Sequence, residues 1–403
     1  MSDHMKNSIK PNRGQTSRIR AALLTNIPAP YRLPFFEELS NLCDLTVLFD
    51  ALSEPNRQWA LTDSGFRFPY QILSGLAIPF VRRRNVTERR FLQLRFDIIL
   101  RLIRLSPDVV ISAEMGPRSL QAEAYCHMAV IPLVIWWEGT QHTEGTTSRL
   151  KQLIRKYLVR RGSRFWANGK ESASLLQAYG ADSAKIDLGM TGVDTLALSS
   201  EVKKAISNRN RVRSELGIDG TVILFMGQLV ERKGISQYLA ALDLLYRDGV
   251  RKWSALFVGS GGLQPDIKNW SKDHPEIHVT ITGFIQPRDL PQFLSAADVF
   301  VLPTLDDNWA LAPLEALAAG LPQLFSIYNG CTTDLLIPGI TGKKIDPLKT
   351  DEFAATIREW IDSPPARLSS EQIAKILEYY SPPAMARRGL ISLQNTIREA
   401  RRG

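Results

Sequence analysis

Two kinds of pattern alternate along the chain. Residues 20–25, 45–49, 108–112 and 133–137 are short, nearly unbroken apolar runs, as expected of strands covered on both faces. Residues 33–42, 88–105 and 146–159 instead repeat apolar positions every three or four places and predict helices packed by one side. The second half repeats the scheme, with strands at 222–226, 254–258, 278–282 and 299–302 and helices near 235–245, 311–319 and 352–361. Strand, helix, strand with short connections predicts parallel sheets sandwiched by helices, and two such series predict two sheets. The expected division is a tail at 1–18, a first doubly wound domain at 19–195, a second at 196–375 and a helical segment at 376–403. A ligand shared by two such domains belongs in the cleft at the carboxyl ends of their strands.

Composition narrows the class. The 403 residues are 44% hydrophobic and 23% charged, enough for two or three cores at roughly 150 residues each. The longest apolar stretch, 129–137, falls well short of the roughly 20 residues that span a bilayer. The first twenty residues lack the apolar segment of a secretory signal. Three widely spaced cysteines, Cys43, Cys126 and Cys331, argue against a disulfide framework and fit a reducing cytoplasm. The formal charge of +9 is uneven: up to Asp194 the chain carries 26 basic and 18 acidic residues, and the remainder is close to neutral. That segregation predicts a basic face on the first domain and an anionic partner.

The densest candidate chemistry lies in residues 302–322, Leu-Pro-Thr-Leu-Asp-Asp-Asn-Trp-Ala-Leu-Ala-Pro-Leu-Glu-Ala-Leu-Ala-Ala-Gly-Leu-Pro. A strand runs into a loop with Asp306 and Asp307, and a helix begins near Leu311 with Glu315 one turn inside. Gly320 and Pro322 stop it. Unpaired N–H groups of Ala310, Leu311 and Ala312 at such a helix start suit phosphate or sugar oxygens. Carboxylates beside them accept hydrogen bonds from hydroxyls, as sugar recognition requires.

An acid, seven residues, a glutamate and then Ala-x-Ala-Ala-Gly-Leu-Pro resembles the Glu-x7-Glu signature of the retaining glycosyltransferases of family 4. Residues 226–234 (Met-Gly-Gln-Leu-Val-Glu-Arg-Lys-Gly) are similar to that family's Gly-Arg-Leu-x-x-x-Lys-Gly. Residues 256–262, 282–284, 296–303 and 191–194 follow in type and order. The likeness spans roughly residues 20–380 and is strongest in the second half. It implies an α/β chain of the GT-B fold, with two Rossmann-like domains facing a central cleft and a C-terminal helix packing back toward the first. It implies a donor site built from Gly227, Gln228, Arg232, Lys233, Gly259, Gly261, Phe284, Asp307, Ala310, Leu311, Ala312 and Glu315. By the same resemblance Lys233 neutralises the donor diphosphate, Glu315 holds ribose hydroxyls and Asp307 contacts the donor sugar. Two positions depart from the pattern. Asp307 is one methylene shorter than the family's glutamate, and Gln228 replaces an arginine, for which the adjacent Arg232 could substitute.

In the first domain the loop 25–32 contains two prolines, which donate no N–H, so it makes a poor phosphate nest and a stiff platform for Tyr31 and Arg32. With Arg57 and His142, these two are the candidate acceptor contacts. Glu138 directly follows a strand, where many relatives have a reaction-centre histidine, and joins Lys233 and Asp307 as a candidate catalytic residue. Residues 82–104 hold eight arginines and residues 149–164 seven lysines or arginines, interleaved with apolar positions. Both stretches predict basic amphipathic helices able to lie in an anionic membrane surface.

The resulting expectation is a cytoplasmic glycosyltransferase held peripherally on the inner face of the cell membrane. It would move a sugar, with retention, from a nucleoside-diphosphate sugar to a lipid-linked or glycan acceptor in cell-surface polysaccharide, lipopolysaccharide or glycolipid synthesis. Neither metal nor other cofactor is expected, and no nucleic acid. A GT-B sugar-nucleotide epimerase and a catalytically inert GT-B partner subunit are the alternatives.

Overall fold

The computed structural model describes residues 18–53, 65–83 and 87–402. Arg57 therefore lies outside the described residues. The strands of the first half are β1 (Arg20–Thr25), β2 (Asp44–Phe49), β3 (Tyr70–Ile72), β4 (Gly75–Arg83), β5 (Thr87–Arg95), β6 (Val109–Ala113), β7 (Leu133–Trp137), β8 (Arg164–Ala167) and β9 (Ile186–Leu188). Those of the second are β10 (Thr221–Met226), β11 (Trp253–Val258), β12 (His278–Ile281), β13 (Val299–Leu302), β14 (Gln323–Ser326) and β15 (Gly342–Ile345).

Seven strands form one parallel sheet in the order β3-β2-β1-β6-β7-β8-β9, and six form another in the order β12-β11-β10-β13-β14-β15. Chain direction across the sheets reverses between β1 and β6 and again between β10 and β13. At such reversals the connecting loops diverge to opposite faces and leave a crevice above the strand ends, where ligands of open α/β sheets sit. These are two doubly wound domains of the expected class.

The central strands are apolar because both faces are covered: Val222–Phe225 in β10 and Val109–Ile111 in β6 are buried throughout. Helix Ile235–Arg247 turns Ile235, Tyr238, Ala241, Leu242 and Leu245 inward at helical spacing. Each of the isoleucine and leucine side chains stabilises the fold by about 1.5–3 kcal/mol when fully buried. In the first domain an aromatic cluster of Phe35, Phe36, Trp136 and Trp166 fills the space between sheet and helix Leu33–Leu42. Helix Pro382–Ala400 returns to this core and inserts Met385, Ala386 and Leu393, with Trp166 Nε1 donating to Ser392 Oγ at 2.8 Å.

The chain thus passes between the domains twice, and the two crossings run side by side. Thr195 Oγ1 donates to the Leu377 carbonyl at 2.6 Å and the Tyr379 hydroxyl to the Leu188 carbonyl at 3.2 Å. Gly192 packs so closely on Tyr380 that a Cβ there would lie 2.4 Å from its carbonyl oxygen.

One expected helix is corrected. Residues 88–105 are not continuous helix: β5 pairs antiparallel with β4 as a separate hairpin, and helix begins only at Ile98. The 91–94 stretch, Phe-Leu-Gln-Leu, satisfies helical and strand periodicity alike, so the preceding β4 decides. Gly75 opposes Arg95 in a pairing so tight that a Cβ on it would lie 2.0 Å from the Leu94 carbonyl oxygen. The break falls at Asp97, whose carboxylate accepts Ser74 N–H at 2.9 Å and Arg101 Nε at 2.9 Å. The second basic stretch does form a helix, Arg149–Arg161. Among the described residues no helix is long and apolar enough to cross a membrane.

Candidate active site

The second sheet's reversal brings together the loops after β10 and β13. The first turns through Gly227, Gln228 and a short 3-10 turn, Glu231–Lys233, and enters helix Ile235–Arg247 at Gly234. Gly234 has φ +73°, and a Cβ on it would lie 1.8 Å from the Pro303 carbonyl oxygen, so this junction needs glycine on both counts. The loops are also tied by the Arg232 carbonyl, which accepts Leu305 N–H at 2.8 Å, Thr304 Oγ1 at 2.9 Å and Asp306 N–H at 3.3 Å.

Those ties set Lys233 against Asp307. The buried Lys233 ammonium donates to Asp307 Oδ2, and Arg232 Nη1 stands 3.6 Å from the same oxygen. Burial lowers the lysine pKa, and Asp307 offsets only part of that. Burial alone would raise Asp307, but Lys233, Arg232 and the Trp309 N–H outweigh it and leave the carboxyl below its ordinary value. Gln228 does not stand alone in the arginine's place, because its Oε1 accepts Arg232 Nη2 at 3.0 Å.

The glycines after β11 pack loop on loop: a Cβ on Gly259 would lie 1.9 Å from the Gly227 carbonyl oxygen, and one on Gly261 2.3 Å from that of Leu229. Phe284 follows the Gly259–Gly283 bridge and is about a third exposed.

The helix after β13 is short, Ala312–Ala318, with Leu311 at its N-cap. The expectation of a free N–H at Ala310 is corrected: it donates to Asn329 Oδ1 at 3.2 Å. Asn329 also accepts Cys331 N–H at 3.3 Å, so it buckles the loop and leaves Leu311 and Ala312 as the helix-start donors. Glu315 is half-buried, and burial alone pushes its carboxyl up to about 7. It accepts no hydrogen bond from a described residue.

In the first domain, Arg32 is buried rather than presented. It donates to Glu138 and, at 2.9 Å, to Thr25 Oγ1, with its guanidinium 4.7 Å from the Trp136 ring centroid and 5.6 Å from that of Tyr31. Burial works against its charge, but Tyr31, Glu138 and Glu114 more than compensate and raise its pKa. Glu138 is thereby fixed in orientation at the end of β7.

His142 reaches across the cleft. Its Nε2 lies 2.8 Å from the Leu305 carbonyl, which can only accept, so the proton sits on Nε2. Its ring lies 5.1 Å from Tyr328. A second crossing escapes sequence reasoning entirely: Asp334 caps helix Lys170–Ala178 of the first domain, accepting Lys170 N–H at 3.2 Å, and also accepts Trp309 Nε1 at 3.0 Å. Asn329 and Asp334 are the functional candidates the sequence does not reveal, since neither belongs to a local motif. Among the described residues no three His, Cys, Asp or Glu side chains are grouped to hold a metal ion.

Known proteins resemble this chain in sequence and in fold. Residues 207–376 match the family described as glycosyl transferases group 1. An alpha-D-kanosaminyltransferase of Streptomyces kanamyceticus is 28% identical over 40% of this chain and 42% of its own length. A D-inositol 3-phosphate glycosyltransferase of Rhodococcus opacus is 29% identical over 55% of this chain and 50% of its own. The chain thus spans about half the length of these curated relatives. The crystal structure of HepE from Anabaena in complex with UDP superposes with TM-score 0.63 at 16% identity, over 94% of this chain and 99% of that one. The chain thus adopts the GT-B fold, with two doubly wound domains, and its residues 207–376 match the family of group 1 glycosyl transferases.

Proposed function

We propose that the chain transfers a sugar from a nucleoside-diphosphate sugar to an acceptor hydroxyl, with the donor held at the second reversal point and the acceptor at the first. The observation that carries this is the Lys233–Asp307 pair between the two donor loops, with the unpartnered Glu315 one turn into the following helix. Lys233, Arg232 and the N–H groups of Leu311 and Ala312 stabilise the diphosphate as it departs with added charge. Glu315 accepts the ribose hydroxyls and Asp307 a hydroxyl of the donor sugar. A departing diphosphate oxygen takes the proton of the attacking hydroxyl on the face it leaves, which gives retention. The related structure with UDP and the named sugar transferases favour this reading over epimerisation or an inert subunit.

The acceptor is lipid-linked or part of a surface glycan, and the enzyme works at the inner face of the cell membrane. Supporting this, helix Arg149–Arg161 exposes Leu150, Leu153 and Tyr157 as one stripe flanked by Arg149, Lys156 and Arg160, and helix Ile98–Leu105 of the same domain exposes Leu100 and Ile103. An exposed apolar stripe with a basic border suits an anionic bilayer surface.

A panel of nucleotide sugars tests the donor side by protection against thermal unfolding. A donor at about 100 times its dissociation constant adds about 2.7 kcal/mol, and Lys233→Ala should abolish that. Flat curves for the whole panel would remove the reading. For the membrane side, reversing Arg149, Lys156 and Arg160 should release the protein from anionic vesicles in flotation while sparing donor protection.

A further inference from the structure

The first reversal point, between β1 and β6, holds a residue that no motif singles out. Glu114 immediately follows β6 and has φ +68°. Ser106 and Val130 share a positive φ, but both cap helix C-termini, where left-handed residues are routine. Glu114 instead ends a strand, and its backbone is held from several sides. Its N–H donates to the Trp136 carbonyl at 2.8 Å, its carbonyl accepts the Ser119 hydroxyl, and the preceding Ala113 carbonyl accepts Arg118 Nη2 at 2.7 Å. Strain fixed this firmly marks functional positions more often than packing ones. Packing is not served here, for the side chain is 63% exposed.

The charges around it balance only when its own carboxylate is counted. Arg32 is engaged by Glu138, while Arg118 and Arg95 share the single carboxylate of Asp50, with Arg95 at 3.7 Å. Glu114 Oε2 stands 3.9 Å from Arg118, on the exposed side of that buried pair. Among the described residues, a phosphate entering here meets guanidiniums that face carboxylates, the exposed Glu114 being the one that completes the balance. A hydroxyl, by contrast, donates to Glu114 without displacing any of those pairs.

We propose that Glu114 is a specificity-determining residue that selects an uncharged, hydroxyl-bearing acceptor end and rejects a phosphorylated one. This rests on the transferase reading above and adds the acceptor's class to it. The strain at φ +68° holds the carboxylate over the crevice that the acceptor enters.

Matched pairs of neutral glycosides and their phosphate monoesters test it, with whichever nucleotide sugar protects best as donor. The wild type should transfer to the neutral member at least about tenfold more efficiently, as like-charge juxtaposition predicts. Glu114→Gln should bring that ratio close to one and raise KM for the neutral member severalfold, with donor protection unchanged. Glu114→Gly, which adopts φ +68° freely, should melt no lower than the wild type yet lose discrimination in the same way. Preference of the wild type for phosphorylated acceptors, or an unaltered ratio in both variants, overturns the proposal. If no acceptor is used although donor protects, the transferase reading has failed instead. Discrimination is then read from further thermal protection of the UDP-saturated protein by each pair, where equal or stronger protection by the monoester overturns the proposal.

Discussion

Replacing Lys233 by Met keeps the length and apolar stem of the side chain while deleting its charge. Asp307, largely buried and ionised, then keeps among the described residues Arg232 at 3.6 Å and the Trp309 N–H. Breaking one side of a buried ion pair costs about 3–5 kcal/mol. Because Arg232 is close and a quarter exposed, the expected loss is at the lower limit, about 3 kcal/mol. At about 2–4 °C per kcal/mol for a domain of this size, Tm should fall by about 6–12 °C. Asp307→Asn should cost less, since burial already lowers the lysine pKa and a neutral amine needs no counter-ion. Combining Lys233→Met with Asp307→Asn removes both charges and should recover most of the lost Tm, a non-additivity of about 2 kcal/mol. Transfer should nevertheless stay at least about 100-fold down in all three variants, because stability needs the charges balanced while catalysis needs the ammonium itself. Differential scanning calorimetry alongside a radiolabelled-sugar transfer assay separates the two readouts. If the single losses simply add in the double variant, the two groups do not form the pair described, and the argument for a preset diphosphate site fails with it.

Three further outcomes are expected. Glu315 binds its proton more tightly folded, at about 7, than an ordinary carboxyl does, so its contribution to stability declines as pH rises from about 4.5 to 7 and is level above that. Glu315→Gln should flatten that part of the Tm–pH curve, and should abolish any rise in donor protection between pH 6 and 8, since the ionised carboxylate is the better acceptor for ribose. Gly234→Ala meets both the +73° φ and the Pro303 carbonyl; it should lower Tm by several degrees and remove donor protection, measured in the same thermal scans. Asp334→Ala strips the cap from helix Lys170–Ala178, at a cost of about 1 kcal/mol, and should enlarge the radius of gyration in small-angle scattering by letting the domains part.

What could be read from the chain was whatever its chemistry stated locally. Lys233 before a required glycine, and Glu315 one turn into a helix, depend on neighbours within ten residues, and the structure puts both on loops and helices of one reversal point. The free N–H assigned to Ala310 was wrong because its partner, Asn329, comes from the next strand's loop. Asp334 is further beyond reach, since its role lies with Lys170, 164 residues away. Glu114 is legible only through its backbone angle, which no composition encodes. Among the strands, β10 and β13 announced themselves as buried apolar runs. The edge strand β15, Gly-Lys-Lys-Ile, exposes both lysines and offers no hydrophobic pattern to read.

The paired crossings between the domains have a mechanical consequence. A single peptide tether would let two bodies swing, twist and slide independently. Here two tethers are sutured to one another at Thr195–Leu377, Leu188–Tyr379 and Gly192–Tyr380, and rotation about either strand alone would tear these contacts. What remains soft is bending about the line of the suture, as in a book about its spine. The pages carrying His142 and Leu305 are thereby held to one arc of approach, which sets the register of the 2.8 Å contact between them.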